Sequence, residues 1–221
     1  MAKRLADMDH TYKRKLIQRW IGAPQSGDLN DPRTVDELLK DVNGLEAYLI
    51  EKEAAAADDV PDAPKTFNEV EHSTPNKGGR IKPLGVVFHH SAGSFAGSLS
   101  WIKQRRSKVS YHVLIHPDGT RHNVVPLTRR AWHAGKSKFR GKSGCNGFMV
   151  GVAFSGDTNK RGLTDAEIAS AAEFVILHAD EFGWDVSWMT DHRTVSPGRK
   201  DDLHPVQWNR LRNELIRRMQ S

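Results

Sequence analysis

LGVVFHHSAG, residues 84–93, decides how the chain is read. Leu84–His89 is a compact apolar run ending in histidine, the pattern of a strand buried on both faces. Working downstream, Tyr111–Ile115, the turn Pro117-Asp118-Gly119-Thr120 and Arg121–Val125 predict a hairpin, because Asp-Gly suits the positive φ such a turn requires. Phe148–Phe154 predicts another strand, and Trp184–Met189 the last. Between them lie helical stretches. Ser98–Arg106 is a short one. Thr164 caps a long one running through about Glu181, with Glu167 three residues on completing a capping box. Pro205–Met219 is a terminal helix whose basic end suits its own dipole. Strands interleaved with helices make an α/β domain over residues 81–221.

Upstream the pattern changes. Tyr12, Leu16, Trp20 and Ile21 repeat at helical spacing. From Pro32 to Glu53, Val35, Leu38, Leu39, Val42, Leu45, Leu49 and Ile50 share one helical face. Residues 1–56 are therefore expected to form a helical N-terminal extension. Residues 57–80, rich in Pro and Gly and poor in apolar side chains, are expected to be a linker.

A chain of 221 residues with 38% hydrophobic and 27% charged residues has the composition of a globular protein with a very polar surface. Its single cysteine, Cys145, excludes an internal disulfide framework and a Cys-based structural zinc site, so any metal must use His and carboxylate ligands. No run reaches the roughly 18 apolar residues of a membrane span. MAKRLADMDHTYKRK, residues 1–15, is basic without the apolar core of a secretory signal, and synthesis in the cytoplasm is expected. Residues 1–79 carry 11 Lys/Arg against 15 Asp/Glu, a balance of −4, and residues 80–221 carry 22 against 12, a balance of +10. A basic body is drawn to polyanions, the bacterial wall among them. No nucleic-acid-binding motif accompanies the charge, so no nucleic-acid partner is expected.

Three segments could carry chemistry: FHHSAG (88–93), SYHVLIHPDGT (110–120) and DHRTVSPGRKDD (191–202). Each alone has an ordinary reading, as a packed histidine, a hairpin turn and a polar loop. Together they supply His89, His192 and Asp202, the two imidazoles and one carboxylate that an open catalytic zinc site needs, with a fourth position left to water. Pro197-Gly198 lies between His192 and Asp202 and lets the chain double back. Lys200, two residues before Asp202, places a cation beside them.

The segment from about Leu84 to Trp208 resembles the type 2 N-acetylmuramoyl-L-alanine amidases, relatives of the peptidoglycan recognition proteins. The matching pieces are VVFHHSAG, VSYHVLIHPDGT, RAWHAG, CNGFMVGVAFSGD and DHRTVSPGRKDDLHP, in the family's order and spacing. The resemblance implies a central mixed β-sheet flanked by helices, with Zn2+ on His89, His192 and Asp202. It implies catalytic roles for Tyr111 and Lys200, peptidoglycan as the partner, and cleavage between N-acetylmuramic acid and L-alanine. Some cytosolic members carry a Glu on the strand corresponding to Val150–Phe154. Ala153 stands there in this chain, which follows the tyrosine-type pattern of phage endolysins rather than the cytosolic recycling enzymes. An endolysin would reach the wall after release through a holin. The two alternatives are the recycling amidase acting on anhydro-muropeptides and a non-catalytic wall-binding protein.

His133, His90 and Asn146 are further candidates for substrate contact, with His133 placed where family members often have a substrate-facing histidine; His90 reads equally as a structural residue, and Asn146 also as one that fixes a loop. His112 points to the face opposite Tyr111 on a regular strand and is expected in the core. Trp101, Trp184, Trp188 and Trp208 are read as packing residues, and Cys145 as an inert thiol. A monomer without stable membrane insertion is expected.

Overall fold

The computed structural model describes residues 67–219. The two helices expected before residue 57 lie outside the described residues. In chain order the elements are β1 (Glu69–Glu71), β2 (Lys77–Arg80), β3 (Val86–His90), α1 (Phe95–Ile102), β4 (Val113–Ile115), β5 (Arg121–Asn123), β6 (Arg129–Ala131), β7 (Lys138–Phe139), β8 (Lys142–Ser143), β9 (Val150–Phe154), α2 (Asp165–Phe182), β10 (Met189–Asp191), α3 (His192–Val195) and α4 (Pro205–Met219). Six strands form one mixed sheet in the order β1-β5-β4-β9-β3-β10. Only β4–β5, the expected hairpin, is antiparallel within it; β1–β5, β4–β9, β9–β3 and β3–β10 are parallel. Gly119 takes φ +90° in the hairpin turn, as Asp-Gly foretold.

The two-residue period of the strands sorts their side chains. Val86 and Phe88 of β3, and Val150, Val152 and Phe154 of β9, pack with Ile168, Ala171, Ala172 and Val175 of α2 and with Leu211 and Leu215 of α4. Val87 and Ala153 belong to separate clusters on the other face. His89 is in register with Ala153 and fully buried on that second face, away from α2 and α4. The alternation that buries Phe88 among helices therefore delivers His89 to the site.

The long helix begins as its sequence requires. Thr164 accepts from the Glu167 N–H, and the Glu167 carboxylate accepts from the Thr164 N–H. It ends on Gly183 in the left-handed conformation. No described helix is long and apolar enough to cross a membrane.

Three expectations are corrected. The helix expected over Ser98–Arg106 starts earlier, on a Ser94 cap, and stops at Ile102. It stops because the carbonyl of Ile102, which would serve Arg106 in a longer helix, instead accepts from Thr74 Oγ1 at 2.5 Å and Asn76 Nδ2 at 3.1 Å. The strand expected over Trp184–Met189 is a single 3-10 turn, Val186–Trp188, followed by β10. Asp185 caps that turn, and buried Trp184 is tied to Pro83 O. Residues 67–80, expected as the end of a linker, hold β1 and β2, and Glu69 of β1 binds the buried Arg121 guanidinium at 2.8 Å. Their polar composition concealed this, because their contribution is hydrogen bonding along an edge rather than apolar burial.

Candidate metal centre

His89 is the penultimate residue of β3, while His192 opens α3, where Asp191 caps the helix by accepting from the Thr194 N–H at 2.9 Å. Parallel pairing of β10 with β3 sets these two ends side by side. Ser196 N–H and Lys200 N–H bond back to the carbonyls of His192 and Ser196, and Arg193 N–H to that of Asp202, so the loop returns Asp202 to His192. The ligand atoms of His89, His192 and Asp202 all lie within 4.8 Å of one another, and all three residues are buried.

Hydrogen bonding fixes the tautomers. A carbonyl only accepts, so His133 Nε2 donates to Met149 O at 3.2 Å, leaving its Nδ1 as an acceptor. His89 Nε2 therefore donates to His133 Nδ1 at 2.9 Å, which leaves the His89 Nδ1 lone pair bare. His192 Nε2 donates to Ala134 O at 3.3 Å, baring its Nδ1 in the same way. Both bare nitrogens face Asp202 Oδ2, at 3.4 Å from His89 and 3.1 Å from His192. Buried His89 Nδ1 has no hydrogen-bond partner. Two lone pairs and a carboxylate aimed at one point repel unless a cation sits among them, so the donor set fits a divalent ion with nitrogen and oxygen preference. Burial pushes the His89 pKa down to about 4, the neutral form that ligation requires.

His192 and Asp202 open onto a cleft of about 350 Å³ whose wall includes Tyr111, His90, His133, Trp101, Lys200 and Asp201, and His89 lies buried directly behind them. The Tyr111 ring lies 5.4 Å from that of His89, centroid to centroid. Burial, and then the Asp202 charge, push its pKa upward, so the phenol keeps its proton at neutral pH. Lys200 is exposed at the cleft, and its charge adds to the lowering of His89. His90 Nδ1 accepts from the Thr158 N–H at 3.0 Å, which makes its Nε2 the N–H.

Not every candidate lies where the sequence suggested. His133 borders the cleft, but both its nitrogens are engaged, and its placement is that of a support for His89. Asn146 does not line the cleft. Its Oδ1 accepts from the N–H groups of His133 and Ala134 at 3.1 and 2.7 Å, so it holds the AWHAG loop rather than offering itself to a ligand. Trp101, read as a packing residue, is 46% exposed on the cleft. His112 is in the core as expected, its Nδ1 accepting from Gly151 N–H and its Nε2 donating to Arg129 O, both at 2.8 Å. The supports themselves went unread: Ala134 O, Thr158 and Gly151. A Cβ on Gly151 would stand 2.4 Å from the His133 ring, so the close approach needs glycine. That Gly sits in the middle of a strand pattern was the available signal.

A mixed sheet that gathers two imidazoles and a carboxylate at the floor of an open cleft defines a candidate mononuclear metal centre of the hydrolytic kind. The chain belongs to the type 2 N-acetylmuramoyl-L-alanine amidase family, whose model matches residues 79–205. It is 37% identical over 106 residues to the 1,6-anhydro-N-acetylmuramyl-L-alanine amidase AmpD of Escherichia coli K12, covering 48% of this chain and 57% of that protein. It is 28% identical over 153 residues to the N-acetylmuramoyl-L-alanine amidase AmiD of the same organism, covering 62% and 54%. The chain thus spans a little over half the length of these curated relatives. Among solved structures, a selenomethionine AmpD derivative superposes with a TM-score of 0.56 at 26% identity, over 68% of this chain and 95% of that one. A mutant endolysin from Bacillus subtilis gives 0.56 at 18% identity, over 68% and 99%, a likeness of fold alone.

Proposed function

We propose that the chain is a zinc-dependent N-acetylmuramoyl-L-alanine amidase that hydrolyses the amide between N-acetylmuramic acid and L-alanine in peptidoglycan, working on the wall in the manner of a phage or prophage endolysin. The observation that carries this reading is the convergence of the bare Nδ1 atoms of His89 and His192 on the Asp202 carboxylate at the floor of an open cleft.

His89, His192 and Asp202 would hold the zinc, which when bound supplies a Lewis acid that brings the pKa of water toward about 7 and polarises a carbonyl. The protein's own residues supply the rest. The Lys200 ammonium faces the cleft and offsets negative charge growing on the lactyl carbonyl oxygen, and one such donor is worth roughly 3–4 kcal/mol. The leaving nitrogen of L-alanine needs a proton, since an amide anion is too basic to depart. Tyr111, a protonated phenol beside His89, orients the attacking water and assists that transfer. His133 and Ala134 O keep the imidazoles in the tautomers that expose Nδ1.

The test is metal content together with release of peptides with L-alanine at their amino terminus from purified peptidoglycan. Release that stops with a chelator and returns with zinc is expected; zinc-free protein with full activity would sink the reading. A second reading, cytosolic recycling of anhydro-muropeptides, is favoured by the 37% identity to AmpD. Against it stands Ala153, in register with His89 where recycling members place a Glu. Rates on intact wall and on soluble anhydro-muropeptides separate the two.

A further inference from the structure

We propose that the indole of Trp101 is a docking face for a pyranose of the glycan strand flanking the scissile bond, so that the cleft is shaped for polymeric wall rather than for a lone muropeptide. The inference rests on the amidase reading above. Five large apolar side chains are exposed among the described residues, and of these only Trp101 lines the candidate cleft. At 46% exposure it forgoes much of the burial an indole could gain, which marks it as a surface awaiting a partner.

The ring is braced in place. The Arg106 guanidinium carbon lies 5.7 Å from the ring centroid, a cation over the indole, which stays 46% exposed. Arg106 Nε donates to Gln104 Oε1 at 2.8 Å, and Gln104 O accepts from buried Asn76 Nδ2 at 2.8 Å. A flat apolar side chain held rigid in advance loses little freedom on binding.

Charge divides the cleft wall. Ser91, Ala92, Ser98, Ile102 and Val109, which share the wall with Trp101, carry none, whereas Lys200, Asp201 and Asp202 come from a separate loop. The scissile amide and its charged stem peptide belong to the charged side, where Lys200 and the candidate ligands lie. The glycan is neutral at its GlcNAc units, with C–H-rich ring faces, and suits an uncharged wall carrying an aromatic plane.

The test compares zinc-loaded full chain as wild type, Trp101→Ala and Trp101→Phe. Substrates are solubilised peptidoglycan chains of several disaccharides and a muramoyl-peptide without flanking sugar. On the chains, Trp101→Ala raises KM roughly tenfold with kcat within about twofold, and Trp101→Phe recovers most of the loss. On the single-sugar substrate neither variant differs from wild type. An equal effect on both substrates, or none on the chains, overturns the proposal. Calorimetry with peptide-free glycan chains provides an arm that needs no turnover. Should wild type cleave neither substrate, the amidase reading falls, and glycan binding decides alone: weakened binding in Trp101→Ala supports the proposal, and unchanged binding overturns it.

Discussion

His89 donates from Nε2 to Nδ1 of His133 at 2.9 Å, and that one bond decides which nitrogen of His89 is free to bind a metal. Removing the acceptor lets the ring rotate or change tautomer. His133→Ala is therefore expected to weaken zinc binding about 10–100-fold, while His133→Gln, whose side-chain oxygen can still accept, loses less. Competition against a chromogenic chelator measures both, with circular dichroism to establish that the fold is kept. Equal zinc affinity in wild type and His133→Ala would refute the support role.

Tyr111 keeps its proton because burial and the Asp202 charge both raise its pKa. Tyr111→Phe removes the hydroxyl and leaves the ring against His89. Turnover on peptidoglycan should drop about 100-fold or more, with zinc content unchanged. Near wild-type turnover would remove the tyrosine from the mechanism.

Legibility in the sequence followed burial periodicity. Val86–Phe88 and Val152–Phe154 declared their strands through apolar side chains, and Thr164 with Glu167 declared a helix start through local hydrogen bonding. The convergence of His89, His192 and Asp202 was legible because a set able to hold a metal is restricted in residue type and the motif carries a family resemblance. What stayed hidden depends on partners distant in the chain. Asn76 is an ordinary polar residue in a Pro-Gly-rich stretch until Ile102 O arrives. Asn146 could be read as fixing a loop or touching a ligand, and only the backbone of His133 and Ala134, distant from it in the sequence, shows the loop role. Trp101 was read as packing because periodicity says nothing about an aromatic held out toward a cleft.

Acid should loosen the fold through His112. Its Nδ1 accepts from Gly151 N–H, so the buried ring must be neutral, and burial lowers its pKa to about 4 from an ordinary 6.5. The unfolded chain binds that proton more readily than the folded one, so stability is complete above about pH 6.5 and declines as the pH falls toward 4. The contribution is on the order of 3 kcal/mol. Urea melts at pH 7, 5.5 and 4.5 should show a steeper loss in wild type than in His112→Gln, which keeps a donor and an acceptor but does not titrate. Identical slopes would place the acid sensitivity elsewhere.

Asn76 fastens the wall of the cleft. Its Nδ2 lies 3.1 Å from Ile102 O, 2.8 Å from Gln104 O, 2.8 Å from Ser107 Oγ and 3.2 Å from Val109 O, and its backbone carbonyl accepts from Ser110 Oγ at 2.5 Å. These bonds clamp the stretch that joins Trp101 and Ile102 to Val109 and Tyr111, all on the cleft. Asn76→Ala strands carbonyls that burial keeps from water, so a loss of about 1–3 kcal/mol is expected. KM should rise more than kcat falls, since the wall moves while His89, His192 and Asp202 stay. A fragment starting at Ile81 keeps every candidate ligand yet loses Asn76, Thr74 and the Glu69 partner of buried Arg121. It should melt lower than a fragment starting at residue 65, as differential scanning calorimetry can record. Equal melting of the two fragments would return residues 67–80 to the status of a tether.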